Sequence, residues 1–325
     1  MITIGTDFSG IGAPEQALIG LGIKHKSVFA CDVDRYAKQS FFANHKTETW
    51  FDDIKKRDPK KTPYCDLYVA GFPCQAFSVA GKRKGFEDTR GTLFFDLFKY
   101  IDIKRPKYFV LENVKGLMGH DKGNTFRVIM DSLEGLNYTI YHKVLNTKHY
   151  GIPQNRERLF IIGFRESHEF DWPEPVELKE TIEDFLETNV DKRFYLTNDQ
   201  IKKIKEYNKR HNKKIPFTFD TISKFIKNKI EWIADVRTDM GLRIRKNRMS
   251  PCLTTSSTPI IKQRKIRRLT PLECLRLQGF SDSFHNNCVD VGVSDSQMYK
   301  QAGNSMTVNV MMALLNEILK NEKSV

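Results

Sequence analysis

Short apolar runs alternate with helical segments along the first half of the chain, and this alternation restricts the fold more than any other feature. The runs lie at residues 2–8, 27–31, 66–70, 107–114, 138–145 and 159–164. Segments 92–103 and 124–133, which lie between runs, are predicted to be helices. A strand–helix–strand order is typical of a parallel sheet that carries helices on its faces, so the sequence predicts an α/β fold.

A chain of 325 residues can hold one large α/β domain and a smaller one. We expect the first domain at 1–171, because the alternation stops near the proline-containing segment 171–175. A less regular domain is expected at 172–262, and residues 263–325 are expected to return to the first. Segment 173–268 carries 23 lysines and arginines against 13 acidic residues, and thus most of the net charge of +13. This composition is expected of a domain that binds a polyanion, although a solvated surface would also show it.

The cysteines and the amino terminus restrict the cellular setting. Six scattered cysteines without Cys-x-x-Cys spacing favour a reducing compartment over a disulfide framework or a metal site. The first residues lack a basic region followed by an apolar core, and no apolar run is long enough to cross a bilayer. We therefore expect a cytoplasmic protein with no bound metal and no membrane contact.

The first apolar run ends in a glycine-rich turn, Asp7-Phe-Ser-Gly-Ile-Gly12. Its glycines let the backbone turn tightly and approach a ligand, and Pro14 suits the start of the next helix. Asp32 follows about twenty positions later, where such folds hold ribose hydroxyls. Glu15 stands where the dinucleotide fingerprint has its third glycine, which disfavours a nicotinamide-dependent dehydrogenase. With the acidic turn at Asp53, three strand ends are predicted to line one cofactor-sized crevice.

Cys74 follows the run at 66–70, where open α/β sheets have their active sites. A lone cysteine is more often a small buried hydrophobe, so a reactive role depends on other residues. Glu112 ends a buried strand, where desolvation would raise its pKa and suit a proton donor, although a surface carboxylate is an equal alternative. Arg156 and Arg158 are two positions apart on an extended segment, so both are predicted to face one ligand.

These motifs together resemble those of the DNA (cytosine-5)-methyltransferases of bacterial or viral restriction–modification systems. In the family's order they are Asp7-Phe-Ser-Gly-Ile-Gly12, Gly71-Phe-Pro-Cys-Gln75, Glu112-Asn-Val114, Gln154-Asn-Arg-Glu-Arg158, Arg268-Leu-Thr-Pro-Leu-Glu-Cys-Leu-Arg-Leu-Gln-Gly279 and Gly303-Asn-Ser305. They cover the chain except about 172–261, where the family has its variable target-recognition domain. The resemblance implies a Rossmann-like, S-adenosylmethionine-dependent methyltransferase sheet with a smaller, irregular target-recognition domain. Cys252 departs from the pattern, since it occupies the place of a threonine.

The resemblance also implies a mechanism on a cytosine flipped out of double-stranded DNA. Cys74 would add to C6 of the base, which makes C5 able to accept a methyl group. Glu112 would hold N3 and N4, and Arg158, with Arg156 beside it, would bind O2. The protein is expected to act as a monomer, and a cognate restriction endonuclease would act separately.

For S-adenosyl-L-methionine, the resemblance implies a pocket formed by Phe8, Ser9, Gly10, Ile11, Gly12, Asp32, Val33, Asp53, Ile54, Pro73, Leu93, Asn304 and Ser305. Residues 8–12 would surround the methionine part, Asp32 the ribose, and Asp53 with Ile54 the adenine. The residues expected at DNA are Gln75, Ser78, Arg243, Arg245, Lys246 and Arg248. For most of the basic ones, contact with phosphate or solvent is the simpler interpretation.

Two other functions stay open from the sequence. An enzyme of the same fold could methylate cytosine in tRNA, although the context of Cys74 and the basic segment favour DNA. A catalytically silent DNA-binding module could share the fold, although Cys74, Glu112, Arg156 and Arg158 are all present.

Overall fold

The computed structural model describes residues 1–73, 93–167, 169–210, 230, 232–237, 241–245, 249–255, 258–263 and 265–320. The strands are β1 (Ile2–Asp7), β2 (His25–Cys31), β3 (Thr49–Phe51), β4 (Leu67–Ala70), β5 (Tyr108–Val114), β6 (Thr139–Asn146), β7 (Gln154–Asn155), β8 (Glu157–Phe164), β9 (Trp232–Arg237), β10 (Gly241–Arg245), β11 (Ser250–Pro251), β12 (Ile260–Lys262) and β13 (Ile266–Arg268). The α-helices are α1 (Ala13–Gly20), α2 (Arg35–Asn44), α3 (Leu93–Lys104), α4 (Asn124–Glu134), α5 (Asn198–Arg210), α6 (Pro271–Arg276), α7 (Asp282–Asp290), α8 (Asp295–Asn304) and α9 (Val308–Ile318).

The chain forms two compact units, and each contains more than one stretch of the sequence. The first unit contains 1–146, 157–175 and 306–325, and the second contains 147–156 and 176–305. Residues 263–305 thus belong to the second unit, and only the last segment returns to the first. The packing explains this division, because α9 packs against α1 in the first unit, whereas α6 packs against α7 and α8 in the second.

The described strands of the first unit form a seven-stranded sheet in the order β3-β2-β1-β4-β5-β8-β6. Strands β1 to β5 are mutually parallel, whereas β8 is antiparallel to β5 and to β6. The predicted α/β sheet is therefore confirmed. The strand order reverses at β1, which lies between β2 and β4, and ligands of such sheets bind at the carboxyl ends of the strands at this point.

Buried aromatic and aliphatic side chains hold this sheet together. Every residue of β4 is buried, as expected of a parallel strand that is covered on both faces. The core continues through the strands into α3 and α4, and its members include Phe29, Tyr68, Leu97, Tyr100, Phe109 and Ile129. The ends of the strands are thereby fixed, and the turns that follow them start from a rigid frame.

The second unit is more regular than the sequence predicts. Its described strands form an antiparallel sheet in the order β10-β9-β12-β13 and a short β11–β7 pair. Trp232, Ala234, Ile260 and Ile266 form an apolar cluster on one face of the larger sheet, and Ile201 and Ile204 of α5 pack against it. No helix in the described part of the chain has both the length and the apolarity needed to cross a membrane.

Candidate active site

The glycine-rich turn after β1 depends on left-handed backbone conformations. Phe8, Gly10 and Gly12 have φ angles of 53°, 54° and 84°. At Gly12 a Cβ would lie 2.4 Å from Cδ2 of His45, so no side chain fits there. At Gly10 the corresponding position is open, since the nearest described atom beyond the neighbouring residues is the Phe8 carbonyl oxygen at 4.0 Å. The turn therefore leaves space for a ligand to approach the backbone at Gly10.

Ser9 and the start of α1 complete this turn. The Ser9 hydroxyl accepts a hydrogen bond from the backbone N of Cys31 at 2.8 Å and lies 2.7 Å from Oγ1 of Thr6. Ser9 thus ties the turn to β2. The first residue of α1 follows Gly12, whose position provides no side-chain cap. Gly12 N donates to the carbonyl oxygen of Ser9 at 3.0 Å and Pro14 has no N–H, so this helix start offers few backbone donors to a ligand.

Asp32 joins the glycine-rich turn to the end of β2. Its Oδ2 accepts a hydrogen bond from the backbone N of Gly10 at 2.8 Å, and its Oδ1 accepts one from Asp34 at 2.8 Å. The carboxylate is half-buried, and a carboxylate group is an acceptor that hydroxyl donors can bind. This position is compatible with the expected contact to a ribose.

The other expected cofactor residues of the first unit differ in exposure. Ile11 and Ile54 are buried, whereas 76% of Val33 is exposed. The carboxylate of Asp53 accepts a hydrogen bond from the backbone N of Lys55 at 2.9 Å, which closes the turn after β3. Ile11 and Ile54 therefore present little side-chain surface to a ligand, and Val33 presents much.

The remaining expected site residues lie near segment 74–92, which is outside the described residues, or in the second unit. Pro73 is exposed and Leu93 is half-buried, and they lie on either side of that segment. Asn304 is exposed at the end of α8, and Ser305 is buried. Cys74, Gln75, Ser78, Lys246 and Arg248 lie outside the described residues.

Glu112, near the end of β5, contacts Arg158, near the start of β8. The β5–β8 register places Val114 opposite Arg158, so Glu112 lies diagonally across from Arg158 on the same face. The Arg158 Nε atom lies 3.0 Å from Oε1 of Glu112, with 18% and 10% of the two side chains exposed. A carboxylate and a guanidinium thus share a site largely removed from water, where electrostatic interactions are strengthened.

The backbone that leads from β4 towards Cys74 is held beside this pair. Asn113 donates a hydrogen bond from Nδ2 to the carbonyl oxygen of Phe72 at 2.8 Å. A Cβ at Gly71 would lie 2.8 Å from Cε of Met306 and 3.5 Å from Oε2 of Glu112. Gly71 therefore lets the chain pass directly beside the Glu112 carboxylate shortly before Cys74.

Arg156 occupies a different environment from the one expected. Its Nη2 donates to the carbonyl oxygens of Ser305 at 2.7 Å and Gly303 at 3.2 Å, and its Nη1 donates to that of Leu253 at 3.0 Å. Only 2% of the residue is exposed. The expected orientation with Arg158 assumed one continuous extended segment, but β7 ends before Arg156 and β8 begins after it. In the structure Arg156 supports the backbone of the second unit, and its expected role beside Arg158 stays a prediction.

Cys252 also contributes to this buried arrangement. Its Sγ lies 3.5 Å from Nη1 of Arg156, and Gln154 accepts a hydrogen bond from the backbone N of Leu253 at 3.1 Å. Gln154 also donates to the carbonyl oxygen of Leu277 at 2.7 Å. The departure from threonine at position 252 therefore leaves a polar contact to Arg156 in place.

A buried ion pair beneath the glycine-rich turn was missed from the sequence. Arg57 donates from Nη1 and Nη2 to the two carboxylate oxygens of Asp7 at 2.6 and 2.7 Å, and both side chains are fully buried. The hydroxyl of Tyr68 also donates to Asp7. The Arg57 guanidinium lies 5.0 Å from the ring centroid of Phe29. Arg57 stands after two lysines in a loop, so its linear context resembles a solvated surface and gave no signal.

Burial shifts the pKa values of two titratable groups near the turn in favour of their neutral forms. Burial raises the pKa of Glu15 in α1 to about 7, although Thr6 donates a hydrogen bond to its carboxyl group at 3.2 Å. Burial lowers the pKa of His45 to about 4. Because the two shifts have opposite signs, their effects on stability oppose each other as pH changes.

Comparison with known proteins agrees with these features. Residues 5–320 match the family model for C-5 cytosine-specific DNA methylases. The chain is 38% identical to the type II methyltransferase M.HaeII of Haemophilus aegyptius over 97% of this chain and 92% of that protein. It is 39% identical to the type II methyltransferase M.NgoBI of Neisseria gonorrhoeae over 94% of this chain and 89% of that protein. Its fold is similar to that of the S. pombe Dnmt2 methyltransferase, with a TM-score of 0.74, 20% identity and 99% of both chains covered. The chain belongs to the C-5 cytosine-specific DNA methylase family.

Proposed function

We propose that this protein methylates C5 of a cytosine in a specific sequence of double-stranded DNA, with S-adenosylmethionine as methyl donor and Cys74 as nucleophile. The observation that carries the proposal is the Glu112–Arg158 pair, with its 3.0 Å separation at the sheet edge beside Gly71. A carboxyl group and a guanidinium at this place can bind the polar edge of a pyrimidine. Family membership supports the same reaction.

The turn after β1 fits the chemistry of S-adenosylmethionine. The open position at Gly10 permits the methionine part to approach the backbone of the turn closely. Asp32 can accept hydrogen bonds from ribose hydroxyls. The bound cofactor would supply the methyl group as an electrophile.

Cys74 would start the reaction, because C5 of cytosine is a poor nucleophile. As the bond between Sγ and C6 forms, the C5–C6 π electrons move towards C5 and the ring. Glu112 would hydrogen-bond N3 and N4, and Arg158 would stabilise the developing charge at O2. After methylation of C5, loss of the C5 proton to water or hydroxide restores the double bond and expels the Cys74 thiolate.

Duplex DNA is the proposed substrate, although its bases are stacked and paired. The target cytosine must therefore leave the helix to reach a site at the sheet edge. The basic segment at 173–268 supports a polyanionic substrate, because lysines and arginines there can neutralise phosphates.

A methyl-transfer assay on duplex DNA and on tRNA, side by side, tests this proposal. We expect the protein to label duplex DNA, and Cys74→Ser to remove labelling because a hydroxyl is a far weaker nucleophile at neutral pH. Cys252→Ser is the matched control, since that thiol lies among residues of the second unit and should retain activity. Preferential labelling of tRNA would favour the RNA enzyme, and full activity of Cys74→Ser would exclude Cys74 as nucleophile.

A further inference from the structure

One face of the second unit's sheet carries two arginines joined by a carboxylate. Strand β10 pairs with β9 so that Arg243 lies opposite Asp235 and Arg245 lies opposite Ile233. Because side chains alternate along strands, Asp235, Arg243 and Arg245 share one face. Ile244 lies on the opposite face, against the apolar cluster that α5 covers. The arginines are therefore on the face that the apolar cluster does not occupy.

Asp235 holds both guanidinium groups. Arg243 donates from Nε to Oδ1 at 3.3 Å and from Nη2 to Oδ2 at 3.2 Å. Arg245 Nη2 lies 3.3 Å from Oδ1 of the same carboxylate. The exposed fractions of the side chains are 38% for Arg243 and 9% for Asp235. A nearly buried carboxylate thus orients an arginine that remains accessible to a partner.

The geometry of the Arg243 pair leaves one end of its guanidinium for a ligand. Asp235 engages the edge formed by Nε and Nη2, so the planar group directs its Nη1 end away from the carboxylate. No partner for Nη1 is found in the part of the chain that the structure describes. An arginine fixed in this way presents two parallel N–H donors and has already lost much of its conformational freedom.

The charge of the cluster favours a neutral acceptor over a phosphate. The Asp235 carboxylate offsets positive charge of the guanidinium groups that it holds, and it repels an anion placed beside them. In the major groove, the O6 and N7 atoms of guanine form a neutral pair of acceptors that matches two donors of an arginine. The cluster therefore suits a base better than a backbone phosphate.

We propose that Arg243 reads a guanine in the target sequence and that Asp235 is the positioning residue that prepares it for this contact. This inference rests on the proposed function, since it assigns part of the sequence choice of the same enzyme. Removing the carboxylate without changing the side chain's shape should release Arg243 to bind phosphates. Asp235→Asn is then expected to bind DNA of any sequence more tightly while it selects its target less strictly.

The test uses a library of duplexes with randomised bases, in which bisulfite sequencing identifies the methylated sites. The full-length protein should require guanine at one position, and Arg243→Gln and Asp235→Asn should each lower that preference by about tenfold or more. Asp295→Asn is the matched control, because it removes a carboxylate that pairs with Arg193 at 3.0 Å in the same unit. This control should leave the preference for guanine unchanged.

A readout of affinity separates positioning from a merely structural role. Asp235→Asn should raise the affinity for non-target DNA and steepen its dependence on salt, since a released arginine adds a phosphate contact. Unchanged base preference with unchanged or weaker non-target affinity would overturn the inference. Methylation by the unsubstituted protein that shows no fixed guanine at any position would overturn it too.

A measurement without any substitution in the protein guards against variants that fail to fold. Replacing each guanine of the target by 7-deazaguanine removes N7 and should lower methylation by about tenfold at the position that Arg243 reads. If 7-deazaguanine lowers methylation at no position outside the target base pair, that result contradicts the inference. Absence of methylation on every duplex would instead contradict the proposed function, so the two failures are distinguishable.

Discussion

Arg156 stabilises the protein through its hydrogen bonds to backbone carbonyl groups. Its guanidinium donates to Leu253, Gly303 and Ser305, which are distant in sequence. A Cβ at Gly303 would lie 2.4 Å from the backbone of Thr254, so the same segments are also in close contact there. A single buried charge thus satisfies acceptors that no regular secondary structure pairs.

Replacing Arg156 should therefore lower the free energy of unfolding rather than act directly on the rate of methyl transfer. We expect Arg156→Ala to lower the free energy of unfolding by about 3 kcal/mol, because hydrogen bonds from a charged donor to buried carbonyls are lost. Urea denaturation measures this loss. Arg158→Ala is the comparison variant, and it should lower kcat by about a hundredfold or more with a smaller change in stability. A variant of Arg156 with full stability and no activity would instead support the role beside Arg158 that the sequence predicts.

The buried carboxyl group of Glu15 should make stability depend on pH. Its pKa is about 7 in the folded protein and 4.5 without burial, so the folded state holds the proton more tightly. The stabilisation from this proton is complete below pH 4.5 and is lost as pH rises through 7. Glu15→Gln has no such loss. As pH rises from 4.5 to above 7, its free energy of unfolding should therefore increase by about 3 kcal/mol relative to that of the unsubstituted protein.

The neighbouring His45 has the opposite effect, which makes the Glu15 measurement specific. Its lowered pKa of about 4 means that stability is lost as pH falls from 6.5. Denaturation of Glu15→Gln at several pH values should thus show that its free energy of unfolding rises with pH because of His45. In the unsubstituted protein, Glu15 partly cancels this rise. If the stability difference between the two proteins is the same at pH 4.5 and at pH 8, Glu15 does not titrate as described.

At the scale of secondary structure elements, the Asp7–Arg57 pair connects the turns after β1 and β3, which are expected to line a cofactor crevice. Asp7 is the last residue of β1 and precedes the glycine-rich turn, and Tyr68 of β4 donates to the same carboxylate. Arg57 belongs to the segment after β3 that also contains Asp53 and Ile54. The pair therefore fixes two turns that are expected to contact the cofactor.

Breaking this pair should weaken cofactor binding more than DNA binding. We expect Arg57→Met to cost about 3–5 kcal/mol of stability, since it leaves the Asp7 carboxylate buried without its counterion. Calorimetry of the folded variant should show a raised Kd for S-adenosylmethionine, whereas the Kd for DNA should change little. Lys56→Met is the control, because this neighbouring side chain is exposed. If the Kd values for S-adenosylmethionine and for DNA rise equally, the pair supports the fold as a whole and not the cofactor site in particular.

Strand and helix patterns predicted the first unit well, and the reason is physical. Parallel strands such as β4 are buried on both faces, so they appear in the sequence as continuous apolar runs. The strands β11 to β13 have only two or three residues each, which is too short to show an alternating pattern. Helix α7 buries only Phe284 and Cys288, so its sequence shows little helical periodicity of apolar residues. These elements depend on contacts that the local sequence does not encode.

Individual site residues were predictable to the extent that a motif contains them. Glu112 lies at the predicted strand end, and Asp32 lies beside the glycine-rich turn. The partners of Arg156 and Arg57 are about fifty residues or more away along the chain, so spacing could not reveal them. The pairing of Asp235 with Arg243 likewise depends on the register of β9 and β10.

At the scale of the whole molecule, catalytic and DNA-reading roles are proposed for different compact units. The first unit contains the sheet with Glu112 and Arg158, and the second contains the Asp235 cluster and most of the positive charge. The units are interleaved in sequence: residues 147–156 of the second unit lie between two segments of the first, and residues 306–325 of the first unit follow the second. The chain therefore cannot be cut at one point to separate the two roles, and the complete protein is the appropriate material for testing catalysis.

The most direct test of the proposed reaction is covalent trapping on duplex DNA that contains 5-fluorocytosine at the target. Fluorine at C5 prevents the final proton loss, so the enzyme should remain attached through Sγ of Cys74. With S-adenosylmethionine present, we predict a denaturant-stable complex whose peptide, identified by mass spectrometry, carries the methylated fluorinated base on Cys74. A protein that methylates ordinary cytosine in the same duplex but forms no such adduct, or forms it on another residue, would contradict the account.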